Sequence, residues 1–116
     1  MTGIELITVE RERQVSVEDW TPEHDAEHAG GEMIKAAVAY ADCNLIMMRR
    51  HESFVVKDVR ADLTIYQDPW PWGSEWDKRR KHDSIKRLTI SGALIAAEID
   101  RLQRLAAYEA AEKEKP

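Results

Sequence analysis

The sequence contains few of the features that build disulfide-linked or membrane-spanning proteins. One cysteine, Cys43, occurs among 116 residues; this excludes an internal disulfide and a cysteine-based zinc cage, and we expect Cys43 to be a small buried hydrophobe in a helix. No apolar run approaches the ~20 residues that a bilayer-spanning helix needs, and the first residues do not resemble a signal peptide. We therefore expect a cytoplasmic protein that makes no contact with membranes.

The charge of the chain is negative overall but unevenly distributed. A composition of 43% hydrophobic and 34% charged residues is typical of one folded globular domain. The net charge of −5 disfavours non-specific nucleic-acid binding. Residues 78–87 nevertheless hold six lysines and arginines against a single acid, Asp83. This basic segment indicates either a local phosphate or carboxylate site, or a solvated helix start.

Local signals in the first third of the chain predict helices. Residues 3–17 have helical spacing of apolar positions and a high content of Glu and Arg. Thr21 followed by Pro22 is typical of a helix start, with an N-cap residue before proline at the first helical position. The glycine pair at 30–31 ends this short helix, and a longer one then begins at Glu32.

The middle of the chain has a different composition. Residues 53–57 and 63–66 are rich in strand formers and favour a short β-hairpin over an irregular segment. Pro69 and Pro71 then exclude a helix through the tryptophan-rich loop that follows.

The closing helix, predicted from Asp83 to about Tyr108, has the longest apolar pattern. Steps of three and four residues connect Ile85, Leu88, Gly92, Ile95, Ile99 and Leu102. We expect this stripe to be buried against the helix that carries Ile34, Ala37 and Ala41. The predicted fold is mainly α, with a small three-helix core, a short extra helix, a Trp-rich loop and one β-hairpin. A single domain at 1–108 would precede a polar tail at 109–116.

Two dense clusters of polar and aromatic residues stand out. Residues 20–32 place two histidines and four carboxylates behind Trp20, and residues 69–82 hold the other three tryptophans and a basic run. Both clusters flank predicted helix starts, whose free N–H groups suit an anion. A small helical protein has room for only one substantial loop face, so we expect the clusters to form one site.

The residue types in these clusters suggest how a ligand would be held. Indole faces stack on flat rings, guanidinium and ammonium groups bind phosphate, and short polar side chains read polar edges. The predicted ligand-binding residues are Trp20, Trp72 and Trp76 for stacking, Lys78, Arg79 and Arg80 for phosphate, Thr21, His24 and Asp25 for polar edges, and His28 in the same cluster. A simpler alternative is that the tryptophans only fill the end of a small core.

Metal chemistry is the second alternative. His24 and His28 are four residues apart, so both rings can point from one helix face, as in helical metal sites. We favour a polar network without metal or cofactor, because a closed zinc site needs further ligands. Paired acids on neighbouring helices would indicate a magnesium-dependent hydrolase, but Glu32, Glu98 and Asp100 lack the required spacing.

The order of these residues also resembles two protein groups. The first is a widespread group of small phage and prophage proteins; the matching positions are Glu10-Arg11, Gln14, Trp20-Thr21, Glu23-His24-Asp25, His28, Gly31-Glu32, Ala36-Ala37, Tyr40-Ala41, Pro69 to Trp72, Trp76 and Gly92 to Arg101. Asp19 stands where members of that group usually carry glycine. More distantly, the chain is similar to the ryanodine-receptor repeat domain; the counterparts are Arg13, Trp20-Thr21, Asp25, His28, Pro71-Trp72 and the helix start Asp83-Ser84-Ile85-Lys86.

These resemblances imply a function that composition alone does not. They imply a phage-encoded, non-catalytic protein of the host cell cytoplasm that binds a small nucleotide-derived ligand and counters a host defence signal. One alternative is a protein–protein inhibitor of a host defence complex, as anti-CRISPR proteins are, and a weaker one is a metal-dependent nucleotide pyrophosphohydrolase. Homo-oligomerisation is left open. A ligand-binding protein needs a concave pocket between the clusters, whereas an inhibitor needs only a flat charged face.

Overall fold

A computed structural model describes residues 1–27, 30–42 and 48–115, with only the backbone of residues 48–50 and 65–67. The protein is mainly α-helical with one small antiparallel sheet. Its elements are helices α1 (Gly3–Ser16), α2 (Pro22–Ala26) and α3 (Glu32–Ala41), strands β1 (Met48–Val56) and β2 (Val59–Gln67), 3₁₀ turns at Ser74–Trp76 and Arg79–Lys81, and helix α4 (Ser84–Lys113). None of the described helices combines the length and apolarity needed to cross a bilayer.

Helices begin where the sequence predicts. The backbone N–H of His24 donates to Oγ1 of Thr21 at 3.3 Å, and that of Lys86 donates to Oδ1 of Asp83 at 2.8 Å. Gly31 precedes α3 with φ +84°, a left-handed conformation that glycine adopts at little cost. α4 continues past the expected end near Tyr108, because the residues up to Lys113 are mostly Ala, Glu and Lys, which are strong helix formers.

The predicted hairpin is confirmed, and its strands are longer than expected. Val56 pairs with Val59, and the two residues between them, Lys57 and Asp58, have φ of 51° and 64°. Positive φ at both central positions is the hallmark of the tight turn that matches strand twist. The apolar side chains of the hairpin are largely exposed, with Phe54 at 45%.

The core lies between α4 and the two helices that pack on it. Its buried cluster consists of Ala36, Ala37, Tyr40, Ile90 and Leu94, with Trp20, Trp70 and Trp72 packed against it. Oγ of Ser91 donates to the carbonyl of Ala37 at 2.7 Å and fixes α4 against α3. α1 approaches α4 at Gly92, where an added Cβ would lie 2.5 Å from Cδ1 of Ile7. The two helices therefore come close at Gly92, where the missing side chain leaves room for Ile7.

The prediction of which face of α4 is buried is wrong. The predicted stripe is exposed, at 67% for Ile85, 56% for Leu88, 44% for Ile95, 51% for Ile99 and 49% for Leu102. Of its expected partners, Ile34 and Ala41 are exposed and only Ala37 is buried. The inward face instead carries Ile90, Ala93, Leu94 and Ala97. Its alanines let α3 come close, which the bulkier stripe would prevent.

This packing predicts a large cost for truncating Leu94. Leu94 is 1% exposed, so Leu94→Ala should lower the free energy of unfolding by about 2–4 kcal/mol through lost burial and a cavity. The matched control is Leu105→Ala on the same helix, where the side chain is 43% exposed and the loss should stay below about 1 kcal/mol. Urea unfolding of both variants is the measurement. Equal losses would contradict this assignment of the core.

Candidate functional site

A cleft of about 780 Å³ opens where α1, the start of α2, the tryptophan loop and the first half of α4 meet. This volume lies within the roughly 300–1,000 Å³ typical of small-molecule sites. All four tryptophans of the chain line the cleft, together with Tyr40 and the apolar side chains of Ile90 and Leu94. The tryptophan side chains are therefore concentrated in this one cleft.

The two clusters of residues 20–32 and 69–82 meet at this cleft, as predicted. The ring centroids of Trp20 and Trp72 are 6.4 Å apart, and Trp72 meets Trp70 edge-on at 5.4 Å. Tyr40 of α3 contacts Trp70 in the same edge-on way at 5.7 Å. Trp20 also stacks on His24 at 5.8 Å with the ring planes only 3° from parallel.

The tryptophan loop is held in shape by polar bonds rather than by helix or strand. Nε1 of Trp70 donates to the carbonyl of Gly73 at 3.1 Å, and its backbone N–H donates to Asp68 at 2.9 Å. The Arg79 guanidinium bonds Asp77 at 2.6 Å and Asp68 at 3.0 Å, and lies 5.6 Å from the centre of the Trp70 ring. Hydrogen bonds from Arg79 are the main cause that lowers the pKa of both Asp68 and Asp77. Arg79 therefore closes the loop at both ends.

A buried carboxylate lies at the base of the cleft. Glu10 is 2% exposed; it accepts from Arg13 Nη2 at 2.7 Å and from Lys86 Nζ of α4 at 2.9 Å. Burial alone would raise the pKa of Glu10, but the hydrogen bonds from Arg13 and Lys86 outweigh it and lower the pKa below its usual value. Glu10 thus remains ionised and joins α1 to α4.

The charges that line the cleft favour an anion. Four cationic side chains, Arg13, Lys78, Lys81 and Lys86, face two carboxylates, Glu10 and Glu18. The cleft is therefore cationic in a protein whose net charge is −5. This charge comes from side chains, whereas N–H groups at the starts of α2 and α4 are bonded by the caps Thr21 and Asp83.

Gln14 is the most unusual group in the cleft. It lies on α1, one turn after Glu10, and is 1% exposed. Its carbonyl oxygen and its amide nitrogen are both buried and have no hydrogen-bond partner among the described residues. Leaving such a group unpaired costs about 1–3 kcal/mol per buried polar atom. Gln14 therefore places an unsatisfied donor and acceptor beside the cleft.

The structure brings together only some of the residues predicted from sequence. Trp20, His24, Trp72, Trp76 and Lys78 line the cleft. The others do not: Thr21, Asp25, Arg79 and Arg80, while His28 lies outside the described residues.

Each of these departures has a physical reason. Asp25 is fully buried and accepts from Arg11 Nη2 at 2.8 Å, so its carboxylate is used inside the protein. Thr21 is used by the helix cap, and Arg79 by the two loop carboxylates. Arg80 follows Arg79 on the same 3₁₀ turn, but it is exposed away from the cleft lining.

Sequence reasoning missed the contribution of α1. Glu10, Arg13 and Gln14 line the cleft, while the apolar Val9 and Val15 of the same helix are 50% and 37% exposed. The signal was present in the sequence, because Glu10 and Gln14 are four residues apart and share one face of a helix. That face is buried although it is polar.

Metal ligands are not assembled in the described part of the chain, where no group of three or more His, Cys, Asp or Glu side chains could hold an ion. Comparisons with protein-family models, with curated proteins and with solved structures find no match to this chain. The cleft itself is therefore the basis for assigning a function.

The Glu10 ion cluster predicts sensitivity to acid. A carboxylate whose pKa is lowered by folding stabilises the protein above its usual pKa, 4.5 for Glu10, and this stabilisation is lost as the pH falls through the lowered value. Glu10→Gln should therefore destabilise the protein near neutral pH by roughly 1–3 kcal/mol, because two cations lose their partner. It should also flatten the fall in stability between about pH 5 and pH 2.

Thermal unfolding across that pH range checks the acid prediction. The control is Glu12→Gln at an exposed position of the same helix, which should follow the wild-type curve. Asp68 and Asp77 also have lowered pKa values, so part of the slope should persist in Glu10→Gln. Parallel curves for wild type and Glu10→Gln would show that Glu10 contributes nothing to the acid transition.

Proposed function

We propose that the protein binds a small nucleotide-derived ligand in this cleft without transforming it. The unpaired amide of Gln14 carries the proposal. A nucleobase presents a donor and an acceptor side by side on one edge, and a Gln or Asn amide pairs with adenine in this bidentate way. The ligand that best relieves the buried amide is therefore a flat ring with such an edge, and adenine fits it best.

Aromatic side chains around Gln14 suit the same ring. Trp20 and Trp72 lie on the cleft wall, and Trp76, 66% exposed, lies at its rim. Indole faces stack on nucleobases and contribute about 1–3 kcal/mol per base by alanine substitution. The stack of Trp20 on His24 keeps the Trp20 ring in a fixed orientation.

Cations that line the same cleft suit a phosphate. Arg13 and Lys86 bond the buried Glu10. Lys78 and Lys81 are exposed lining residues, and within the described part of the chain neither forms an ion pair. They are the groups left to bind an incoming anion.

Catalysis is disfavoured by where the carboxylates lie. A metal-dependent hydrolase would use acids such as Glu32 and Glu98, but neither lines the cleft. Glu98 bonds Arg101, and Glu32 accepts from the backbone N–H of Gly30. The acids that do line the cleft include Glu10, whose oxygens are bonded by two cations.

The biological role follows from the resemblance to phage and prophage proteins. We propose a phage-encoded protein that acts in the host cell cytoplasm by sequestering a nucleotide defence signal. Sequestration needs only a tight cleft and enough protein, since a bound signal does not reach its receptor. The alternative, direct inhibition of a host defence complex, would use a flat charged face rather than this cleft.

Gln14→Leu separates a binding role from a structural one. Leucine has a similar volume and removes the buried polar atoms, so the ligand-free variant should melt at or above the wild-type temperature. Its affinity for AMP should fall about 10- to 100-fold, the range expected for losing a bidentate base contact. The control is Gln103→Leu, the same change at an exposed position of α4, which should leave affinity unchanged.

Calorimetry and thermal shift with AMP, GMP, CMP, UMP and cyclic nucleotides are the measurements. A nucleotide that binds the folded state raises its melting temperature. If no nucleotide raises the melting temperature, or if Gln14→Leu binds as tightly as wild type, the proposed ligand class is wrong.

Lysine substitutions test the phosphate end separately. Lys78→Ala with Lys81→Ala should weaken AMP binding and leave adenosine binding unchanged, because adenosine lacks the phosphate. The wild-type preference for AMP over adenosine should also decline as salt is raised. Equal weakening of both ligands would show that these lysines do not contact phosphate.

A further inference from the structure

We propose that the exposed apolar stripe of α4 binds a second copy of this chain, as an antiparallel pair of α4 helices. We call this stripe the α4 seam; it consists of Ile85, Leu88, Ile95, Ile99 and Leu102. Each of these side chains is between 44% and 67% exposed. Gly92 lies in the middle of the seam, where Ile7 of α1 covers it and continues the apolar surface.

The seam lies on the side of α4 opposite to the cleft. Ile90 and Leu94 face the core and line the cleft, and residues advance by about 100° each around a helix. By that rotation, the seam is centred about 145° from the mean direction of those two side chains. A partner on the seam therefore leaves the cleft open, so this inference is independent of the proposed ligand.

The spacing of the seam identifies the kind of partner. Alternating steps of three and four residues form the pattern by which one helix packs lengthwise on another. From Ile85 to Leu102 the seam is about 26 Å long. Within the described residues, α1 touches the seam only where Ile7 covers Gly92, and α3 and α1 have only 10 and 14 residues. α4 itself has the required length and pattern, and such a surface on a two-fold axis is self-complementary.

The surface area of the chain is large for its mass. The exposed area is 8476 Å² for 13.4 kDa, whereas a compact monomer of this mass exposes about 6,500 Å². The radius of gyration is 17.9 Å, against about 13 Å for a compact domain of this length. A stable interface buries roughly 800 Å² on each partner. The exposed surface includes the seam together with the apolar side chains of the hairpin and of the end of α4, so part of this excess is available for a dimer contact.

Charge selects the orientation of the pair. Residues 78–87, at the start of α4, hold six cationic side chains and one acid. A parallel pair would place the two basic segments together, whereas an antiparallel pair places each near residues 100–109, where two acids balance two arginines, and so avoids the repulsion. If the two-fold axis passes through the middle of the seam, Ile85 faces the partner's Leu102, and Leu88 faces the partner's Ile99.

Sedimentation equilibrium of the full chain tests the dimer. We expect a reversible dimer at micromolar concentration, and Ile95→Asp should shift it to monomer by at least tenfold in dissociation constant. The control is Val9→Asp on α1, which introduces the same charge at a side chain that is 50% exposed and off the seam, and which should remain dimeric. Leu102→Asp is a second seam variant, located beyond the last buried residue of α4, and should also be monomeric.

The results of these experiments distinguish a second copy of this chain from a different partner protein on the seam. A wild-type chain that stays monomeric at high micromolar concentration overturns the proposal and leaves the face to a different protein. A dimer that persists in both seam variants, with circular dichroism unchanged, overturns it as well. Dissociation by seam variants alone supports it, whatever the result of the nucleotide tests.

Disulfide trapping tests the orientation in a Cys43→Ser background, since Cys43 is the only cysteine. A mixture of Leu88→Cys and Ile99→Cys chains should cross-link into a mixed dimer. Each variant alone should cross-link poorly, because like positions are far apart in an antiparallel pair. Efficient cross-linking of Leu88→Cys to itself would overturn the antiparallel arrangement.

Discussion

The carboxylate of Glu10 connects parts of the chain that are far apart in sequence. Arg13, from the same helix, and Lys86, from α4, donate to it at the base of the cleft. A buried charge is tolerable only with such partners, and removing one leaves the others uncompensated. Since α1 turns polar rather than bulky apolar side chains toward the protein, its position on α4 depends on this cluster and on the contact of Ile7 with Gly92. The wall of the cleft that presents Gln14 follows from that position.

Local features of the fold were predictable because short-range forces determine them. Thr21 and Asp83 cap their helices through bonds to residues three positions away, so the sequence contains both partners side by side. The hairpin follows from two runs of strand formers joined by a short turn. The meeting of Trp20 and Trp72 was also predictable, because few loop faces exist in so small a protein.

The orientation of α4 and the polar face of α1 were not predictable in this way. A periodic pattern shows which residues share a face, but α4 has two apolar faces, one with alanines and one with isoleucines and leucines. Which face is inward depends on how closely α3 can approach. Asp25 and Arg79 have the chemistry of ligand-binding residues, yet both are satisfied inside the protein by partners that only the fold brings near, Arg11 and Asp68.

The concentration of all four tryptophans in one cleft has a spectroscopic consequence. Indole dominates the near-ultraviolet absorption and emission of a protein, so these signals report almost entirely on one region. The edge-on contact of Trp70 with Trp72 should give a strong exciton feature in circular dichroism. Tryptophan emission would then report on the opening of the cleft. It would not report on the hairpin or on the distal half of α4. Unfolding recorded by fluorescence and by far-ultraviolet ellipticity should diverge wherever those outlying segments melt on their own.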